Sequence, residues 1–436
     1  MAEAGDPGGT PAVVAVDMGY GHLRAGQPLA DRLGVPLLEL DRPPLAGAEE
    51  QQQWQRVRWF HESTSRWSQL PMVGGAFRAL LGAVTHIPQL YPRRDLSSPT
   101  AGTRYLARLT AGGLGRELVQ YLVDHDAPLL TTFYAPAVVA DHLGFPRVFC
   151  VVTDTDINRV WAPIEPARSR ATYLAPSRRV VDRLKAYGVS PERIILTGFP
   201  LPHELLGGPD LEVARRNLAA RLVRLDPRRS FLGESQDLVE RTVGPLPSAE
   251  KGRAVTLTFA VGGAGAQAEL AEQFLPSLRD LLQTARLRVV LIAGRRPEVA
   301  ATFREAIETS ELGEQLGRGI EILHAPAWTD YYRAMSTCLA ETDLLWTKPS
   351  EMTFYAALGI PLVFSWPVGV HERYNRRWAL ESGAGLKQRE VRHAGDWIAE
   401  WLEEGTLAAA AWSGFLRLPK QGLYRILDAV AGGGGR

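Results

Sequence analysis

The stretch Leu344–Gly385, LLWTKPSEMTFYAALGIPLVFSWPVGVHERYNRRWALESGAG, decides the reading of this chain. It predicts a short apolar strand, a polar turn, a helix starting near Ser350, and a second apolar strand over Pro361–Trp366. A loop follows, then a helix carrying His371, Glu372 and Asn375. A helix that opens just beyond a strand leaves backbone N–H groups without intrahelical partners and a positive dipole end, a setting that suits phosphate. Any α/β protein has such turns, so the stretch by itself leaves a phosphate site and an ordinary connection equally open.

Working outward, the preceding hundred residues repeat the alternation. AVTLTFAVGG from Ala254 runs into a glycine turn at Gly262, Gly263 and Gly265, followed by a helix to about Thr284. Strands follow at Arg288–Gly294 and Ile320–Leu323, each with a helix behind it. The N-terminal half does the same. Val13–Val16 leads into Asp17-Met-Gly-Tyr-Gly-His22, where Gly19 and Gly21 allow a tight turn, and then into a helix over Leu23–Leu33. Further strands are expected at Val35–Leu40, Leu129–Tyr134, Arg147–Val152, Tyr173–Pro176 and Arg193–Leu196. The pattern predicts an α/β protein of two doubly wound units, residues 1–205 and 206–436, facing one another across a cleft. Residues 203–253 are polar and punctuated by Pro and Gly, and read as one charged helix and then partly as loop.

Composition narrows the class. The 436 residues are 45% hydrophobic and 22% charged, which fits a folded chain of two ordinary domains. Lys and Arg number 49 against 48 Asp and Glu, so the net charge of +1 provides no general attraction for nucleic acid. Cys150 and Cys338 both lie in apolar surroundings and are too few for a disulfide framework, which fits a reducing cytoplasmic setting. No signal-peptide pattern opens the chain and no apolar run is long enough to span a bilayer.

Three local features carry candidate chemistry. The first turn is not the dinucleotide GxGxxG, because Arg24 takes the third glycine's place, and a nicotinamide or flavin site loses weight. His22 reads either as a general base or substrate ligand, or as a helix-capping or buried imidazole. The strand end Val151-Val-Thr-Asp154-Thr-Asp156 puts polar residues at the carboxyl edge of the first sheet, where open α/β sheets bind ligands. Residues 51–94 interleave Trp54, Trp59, Trp67 and Phe77 with arginines, the composition of a membrane-facing helix or of an amphipathic pair packed on the sheet. Asp396–Ile426 holds amphipathic segments, and the last helix is expected to cross back to the first domain.

Taken together, Gly21-His22-Leu-Arg-Ala25, VVTD at Val151–Asp154, TGFP at Thr197–Pro200, GGAGA at Gly262–Ala266 and TKPS…PLVF…HE-x-x-N…GAG resemble GT-B glycosyltransferases. The resemblance runs from about residue 12 to 390, toward monogalactosyldiacylglycerol synthases, diacylglycerol glucosyltransferases and the peptidoglycan lipid-linked N-acetylglucosaminyltransferase. It implies a nucleotide sugar, with uridine the expected base, as co-substrate, no other cofactor and no metal. It also implies a lipid or membrane-surface acceptor on the N-terminal side, reached from the inner membrane face. His22 and Asp154 would be the acid/base residues. Gly262, Gly263, Gly265, Thr347, Lys348, Ser350, Glu351, His371, Glu372 and Asn375 would surround the donor, and Gly19, Gly21, Trp54, Trp59, Trp67 and Phe77 the acceptor. The chain departs from the pattern at one point: relatives place a ribose-binding glutamate where this chain has Ala356, and a glycine where it has Glu351. Three other readings stay open on the same fold: a sugar-nucleotide epimerase or hydrolase, a transferase acting on a soluble small molecule, and a non-catalytic binding protein, the one that Ala356 supports. Oligomeric state is not legible.

Overall fold

The computed structural model describes residues 9–56, 86–248, 253–262, 265, 267–367 and 369–432. Its strands are β1 Ala12–Ala15, β2 Leu37–Glu39, β3 Leu129–Thr131, β4 Val148–Val151, β5 Thr172–Ala175 and β6 Ile194–Leu196, then β7 Val255–Ala260, β8 Leu287–Gly294, β9 Ile320–His324, β10 Leu344–Thr347, β11 Leu362–Phe364 and β12 Gly385–Lys387. The first six form one sheet in the order β2-β1-β3-β4-β5-β6, and the second six another in the order β12-β11-β10-β7-β8-β9. Every pairing in both sheets is parallel. Parallel strands covered by helices on both faces are buried at every position and mostly apolar. The segments VTLTFA and VFCV, buried at every position, obey that rule.

The chain divides into two compact units. Unit 1 comprises Met1–Leu201, Val368–Asn375 and Pro419–Arg436; unit 2 comprises Pro202–Pro367 and Arg376–Leu418. The core of unit 1 gathers Val14, Leu129, Phe133, Cys150, Tyr173 and Leu184 around its sheet. Trp54 lies in that core at 2% exposure, so it offers no ring to a bilayer. Trp59, Trp67 and Phe77 lie outside the described residues. The helix Gly422–Gly432 groups with unit 1, and its first residue meets the TGFP turn. A Cβ on Gly422 would stand 2.1 Å from the Phe199 carbonyl oxygen, so only glycine allows that approach.

Three local readings differ. Residues 203–253 hold helices at His203–Leu206, Glu212–Leu225 and Leu232–Val243 rather than one helix and a loop. The last of these buries only Leu232 and Val239, too sparse an apolar stripe to stand out in sequence. The helix expected at Ser350 is a 3-10 helix, Glu351–Leu358, with all eight residues buried. It has no polar face to turn to water and is backed by the helix Thr406–Arg417, where a Cβ on Gly414 would lie 2.5 Å from the Ala356 carbonyl oxygen. The strand β12 was not expected at all, since GLK has no apolar run.

In unit 2, Arg221 is 1% exposed and bonded to backbone alone, donating to the carbonyls of Thr342, Leu358 and Gly359. One turn on, Arg224 makes a two-pronged pair with the buried carboxylate of Asp343, which also accepts from Thr256 N–H. These bonds tie the helix Glu212–Leu225 to the start of β10 and to the turn at Gly359. They hold β10, whose far end carries Thr347 and Lys348, in register with β7.

Candidate functional site

A parallel sheet wound in two directions from its middle leaves a crevice at the carboxyl ends of the two strands where the winding reverses. In unit 1 the reversal falls between β1 and β3; in unit 2 it falls between β7 and β10. Each crevice carries polar residues singled out from the sequence.

At the unit 1 crevice, Gly19 adopts φ +91, a left-handed value, and starts the helix Tyr20–Leu33, which contains Gly21 and His22. His22 Nδ1 lies 2.7 Å from the Thr132 carbonyl oxygen just past β3, and the Thr132 hydroxyl donates to the His22 carbonyl at 2.9 Å. A carbonyl only accepts, so Nδ1 carries the proton and Nε2 holds the imidazole lone pair. The Thr153 hydroxyl stands 3.4 Å from Nδ1, and the Phe133 ring packs edge-on against the imidazole at 4.9 Å. The ring is thereby fixed in position and tautomer.

Beyond β4, the three residues Asp154, Thr155 and Asp156 do different work. Asp156 is fully buried and paired with Arg183 at 2.8 Å and with Arg179, while also accepting from Ile157 N–H at 3.0 Å. It is a structural anion. Asn375 is also fully buried; its amide donates to Asp154 Oδ1 at 3.0 Å, and its carbonyl accepts from Thr155 N–H at 2.9 Å and Thr155 Oγ1 at 2.8 Å. Asp154 is the half-buried member and the one whose carboxylate is held by a neutral donor. The sequence reading set His371, Glu372 and Asn375 beside the donor residues of the C-terminal half; here all three group with unit 1. Glu372 Oε2 accepts from Gly369 N–H at 3.4 Å and caps its own helix start. The link between Asn375 and Asp154 was beyond sequence reasoning, since the partners are 221 residues apart and no local pattern announces them.

At the unit 2 crevice, the Lys348 side chain lies across Gly262. A Cβ at residue 262 would sit 2.2 Å from Lys348 Cε and 3.0 Å from Nζ. Gly265 adopts φ +74, and its N–H donates to Gly262 O at 2.7 Å to close the turn. Gly263 lies outside the described residues. The Thr347 hydroxyl donates to Ala260 O at 3.1 Å and so belongs to the sheet, whereas Lys348 is half-buried at its edge. Ser350 Oγ accepts from Met352 N–H at the head of the 3-10 helix, and Glu351 is buried at 9% exposure. Ala356 is wholly buried.

Sequence inspection missed Gln267. Its amide N–H donates to Trp366 O at 2.9 Å and its amide oxygen accepts from Ser365 Oγ, which joins the loop after β7 to the end of β11, the strands that flank β10. Gln267 takes φ +72, an unfavourable value for a residue with a Cβ, and the two side-chain bonds hold it there. Trp366 is 69% exposed at that edge, with the Arg376 guanidinium 5.8 Å from its ring centre. Among the described residues no cluster of His, Cys, Asp and Glu has the makings of a metal site, and no helix is long and apolar enough to cross a membrane.

Unit 2, read β9-β8-β7-β10-β11-β12, has the 3-2-1-4-5-6 strand order of a Rossmann fold. Unit 1 is wound on the same principle, so the class is a two-unit, Rossmann-like α/β protein. A family model described as a domain of unknown function (DUF6938) matches residues 245–427, within which both glycine turn and Lys348 fall. No curated protein matches the chain by sequence. Among solved structures it is similar to MurG of Acinetobacter baumannii, at 12% identity and a TM-score of 0.48 over 96% of this chain and 98% of that one. It is also similar to the glycosyltransferase SnogD of Streptomyces nogalater, at 14% identity and a TM-score of 0.45 over 97% and 100%. A third is the UDP-GlcNAc 2-epimerase of Neisseria meningitidis bound to UDP-GlcNAc, at 12% identity and a TM-score of 0.44 over 81% and 88%. At such values no residue role passes from those proteins to this one.

Proposed function

We propose that this protein is a GT-B-type enzyme acting on a nucleotide sugar, with transfer of the sugar to an acceptor hydroxyl as its reaction. The observation that carries the reading is Lys348 laid across Gly262 at the point where the unit 2 sheet reverses. A cation beside a glycine turn and a capped helix start is suited to a diphosphate. In the proposed reaction the acceptor oxygen bonds to the anomeric carbon as the bond from that carbon to the diphosphate breaks. His22 Nε2 takes the acceptor's proton, and Lys348 stabilises the departing charge. No cofactor beyond the nucleotide sugar is invoked. A lipid acceptor rests on the resemblance and on the composition of residues 51–94, of which Trp54 no longer counts in favour.

A second reading, a non-catalytic protein that binds a nucleotide sugar or lipid, is favoured by Ala356, while an epimerase or hydrolase of nucleotide sugars would release its product without an acceptor. With that position buried and apolar, the ribose is held by other groups than in the transferases the sequence resembles. Thermal-shift titration with uridine, guanosine and adenosine diphosphates and their sugar conjugates tests these readings. Stabilisation by one of them, lost in Lys348→Ala, is expected. Product analysis with radiolabelled nucleotide sugar then separates transfer to added lipid from release of free or epimerised sugar. If no nucleotide stabilises the protein at millimolar concentration, every reading that binds a nucleotide sugar falls.

A further inference from the structure

Unit 1 has a cavity away from its crevice. The helix Arg178–Ala186 follows β5 and runs back from the carboxyl edge of the sheet, so its last turn stands toward the opposite edge from His22 and Asp154. There a cavity of about 350 Å³ is lined by Leu90, Arg93, Arg94, Asp182, Lys185 and Ala186. A second, of about 230 Å³, shares Asp182 and Lys185 and adds Arg178. Arg93, Arg94, Lys185 and Arg178 make no ion pair among the described residues, and Asp182 is the one acid in either wall.

The cavity is framed by fixed backbone. Leu96 N–H donates to Ala186 O at 2.9 Å, which occupies a helix-end carbonyl that would otherwise face an incoming anion. The Arg159 guanidinium holds Ser97 O at 2.7 and 3.1 Å, and the nearby Asp95 carboxylate is turned onto Ser97 N–H at 2.8 Å. Four cations gathered round one acid repel each other until a ligand neutralises them.

We propose that this cavity binds a phosphate-bearing ligand. Arg93, Arg94 and Lys185 hold the phosphate, and Leu90 and Ala186 receive the apolar part of the molecule. Arginine's planar fork suits phosphate oxygens, and lysine adds a point charge. A soluble phosphomonoester and a phospholipid headgroup share this chemistry, and the test separates them.

Isothermal titration of the full chain with glycerol 3-phosphate forms one arm. Co-sedimentation with phosphatidylglycerol vesicles, against phosphatidylcholine, forms the other. Arg93 and Arg94 are exposed, so the double variant Arg93→Ser/Arg94→Ser folds as the parent does. It is expected to weaken binding about tenfold, and Asp182→Asn to strengthen it about threefold, with both effects shrinking as salt is raised. Variant-sensitive binding of glycerol 3-phosphate assigns a soluble ligand; variant-sensitive binding of anionic vesicles alone assigns a lipid headgroup. Binding of neither probe, or binding that ignores all three substitutions, overturns the proposal.

Discussion

His22 and Thr132, 110 residues apart, are joined by two hydrogen bonds, imidazole Nδ1 to the Thr132 carbonyl at 2.7 Å and the Thr132 hydroxyl back to the His22 carbonyl at 2.9 Å. The pair fixes the tautomer that leaves Nε2 able to accept a proton. If His22 is the base, His22→Gln keeps the fold and any nucleotide-induced thermal shift, while turnover falls by about 10²–10⁴-fold. Turnover within a few fold of the parent would remove His22 from the chemistry and leave it as a packing residue.

Gly262 and Lys348 give a test of the other crevice. Gly262→Ala sets a methyl 2.2 Å from Lys348 Cε, and the flexible lysine, rather than the backbone, yields. The expected result is nucleotide affinity lowered about tenfold or more, as for loss of one hydrogen bond to a charged group, with little change in melting temperature. An equal loss of affinity and stability would mean that the turn itself had collapsed.

Asn375 separates two demands on one side chain. Asn375→Ala strips Asp154 and Thr155 of partners in a buried site and is expected to cost about 1–3 kcal/mol in urea unfolding. Asn375→Asp keeps the bonds from Thr155 but sets a second carboxylate against Asp154 Oδ1. Like charges at that distance disfavour ionisation, so its stability relative to the parent improves as pH is lowered and one of the two carboxyls takes up a proton. Identical pH dependence in parent and variant would count against direct contact between residues 375 and 154.

The sheets were legible because parallel strands covered on both faces read as near-continuous apolar runs, and VVLIAG, VFCV and, with threonine as its one polar residue type, VTLTFA are such runs bounded by turn residues. The glycine turns were legible because a left-handed φ needs glycine, as at Gly19 and Gly265. What sequence could not show was partnership at a distance. Asp154 and Asp156 look alike in VVTDTD, yet two arginines from the next helix commit one to the core while Asn375 holds the other. Nor does a run such as EMTFYAAL reveal whether its buried turns will be α or 3-10, since every side chain in it but that of Glu351 is apolar enough, or small enough, to be enclosed either way.

The TGFP turn is better explained by packing than by chemistry. Gly198 holds φ +96, and Gly422 lies so close that a Cβ would come within 2.1 Å of Phe199 O and 2.5 Å of its carbonyl carbon. Backbone cannot yield as a lysine tip can. Gly422→Ala is therefore expected to cost about 1–3 kcal/mol, the range for overpacking at a tight contact, and to expose the last helix to proteolysis. Donor binding in unit 2 should survive. Unchanged protease resistance would show that the helix start shifts aside without loss.

Unit 1 is expected to unfold in alkali. Burial pushes up the phenols of Tyr134, Tyr173 and Tyr187 and the thiol of Cys150. Tyr173 and Tyr187 must stay protonated to donate to Trp161 O and Ile157 O, at 2.7 and 2.8 Å. The sign follows from linkage. A group whose pKa is raised by folding contributes stability that is complete below its unfolded value and is lost as pH climbs toward its folded one. For a cysteine and three tyrosines the loss starts near pH 9–10. Ionisation of these three buried phenols should appear as a cooperative rise in tyrosinate absorbance that coincides with loss of circular dichroism. Replacing Tyr187 with Phe removes one of these protons and one bond to Ile157 O together, so that variant should be less stable at neutral pH and lose less between neutrality and the alkaline transition. A single smooth titration of all tyrosines with the fold intact would show that the buried phenols ionise in place, contrary to the packing around them.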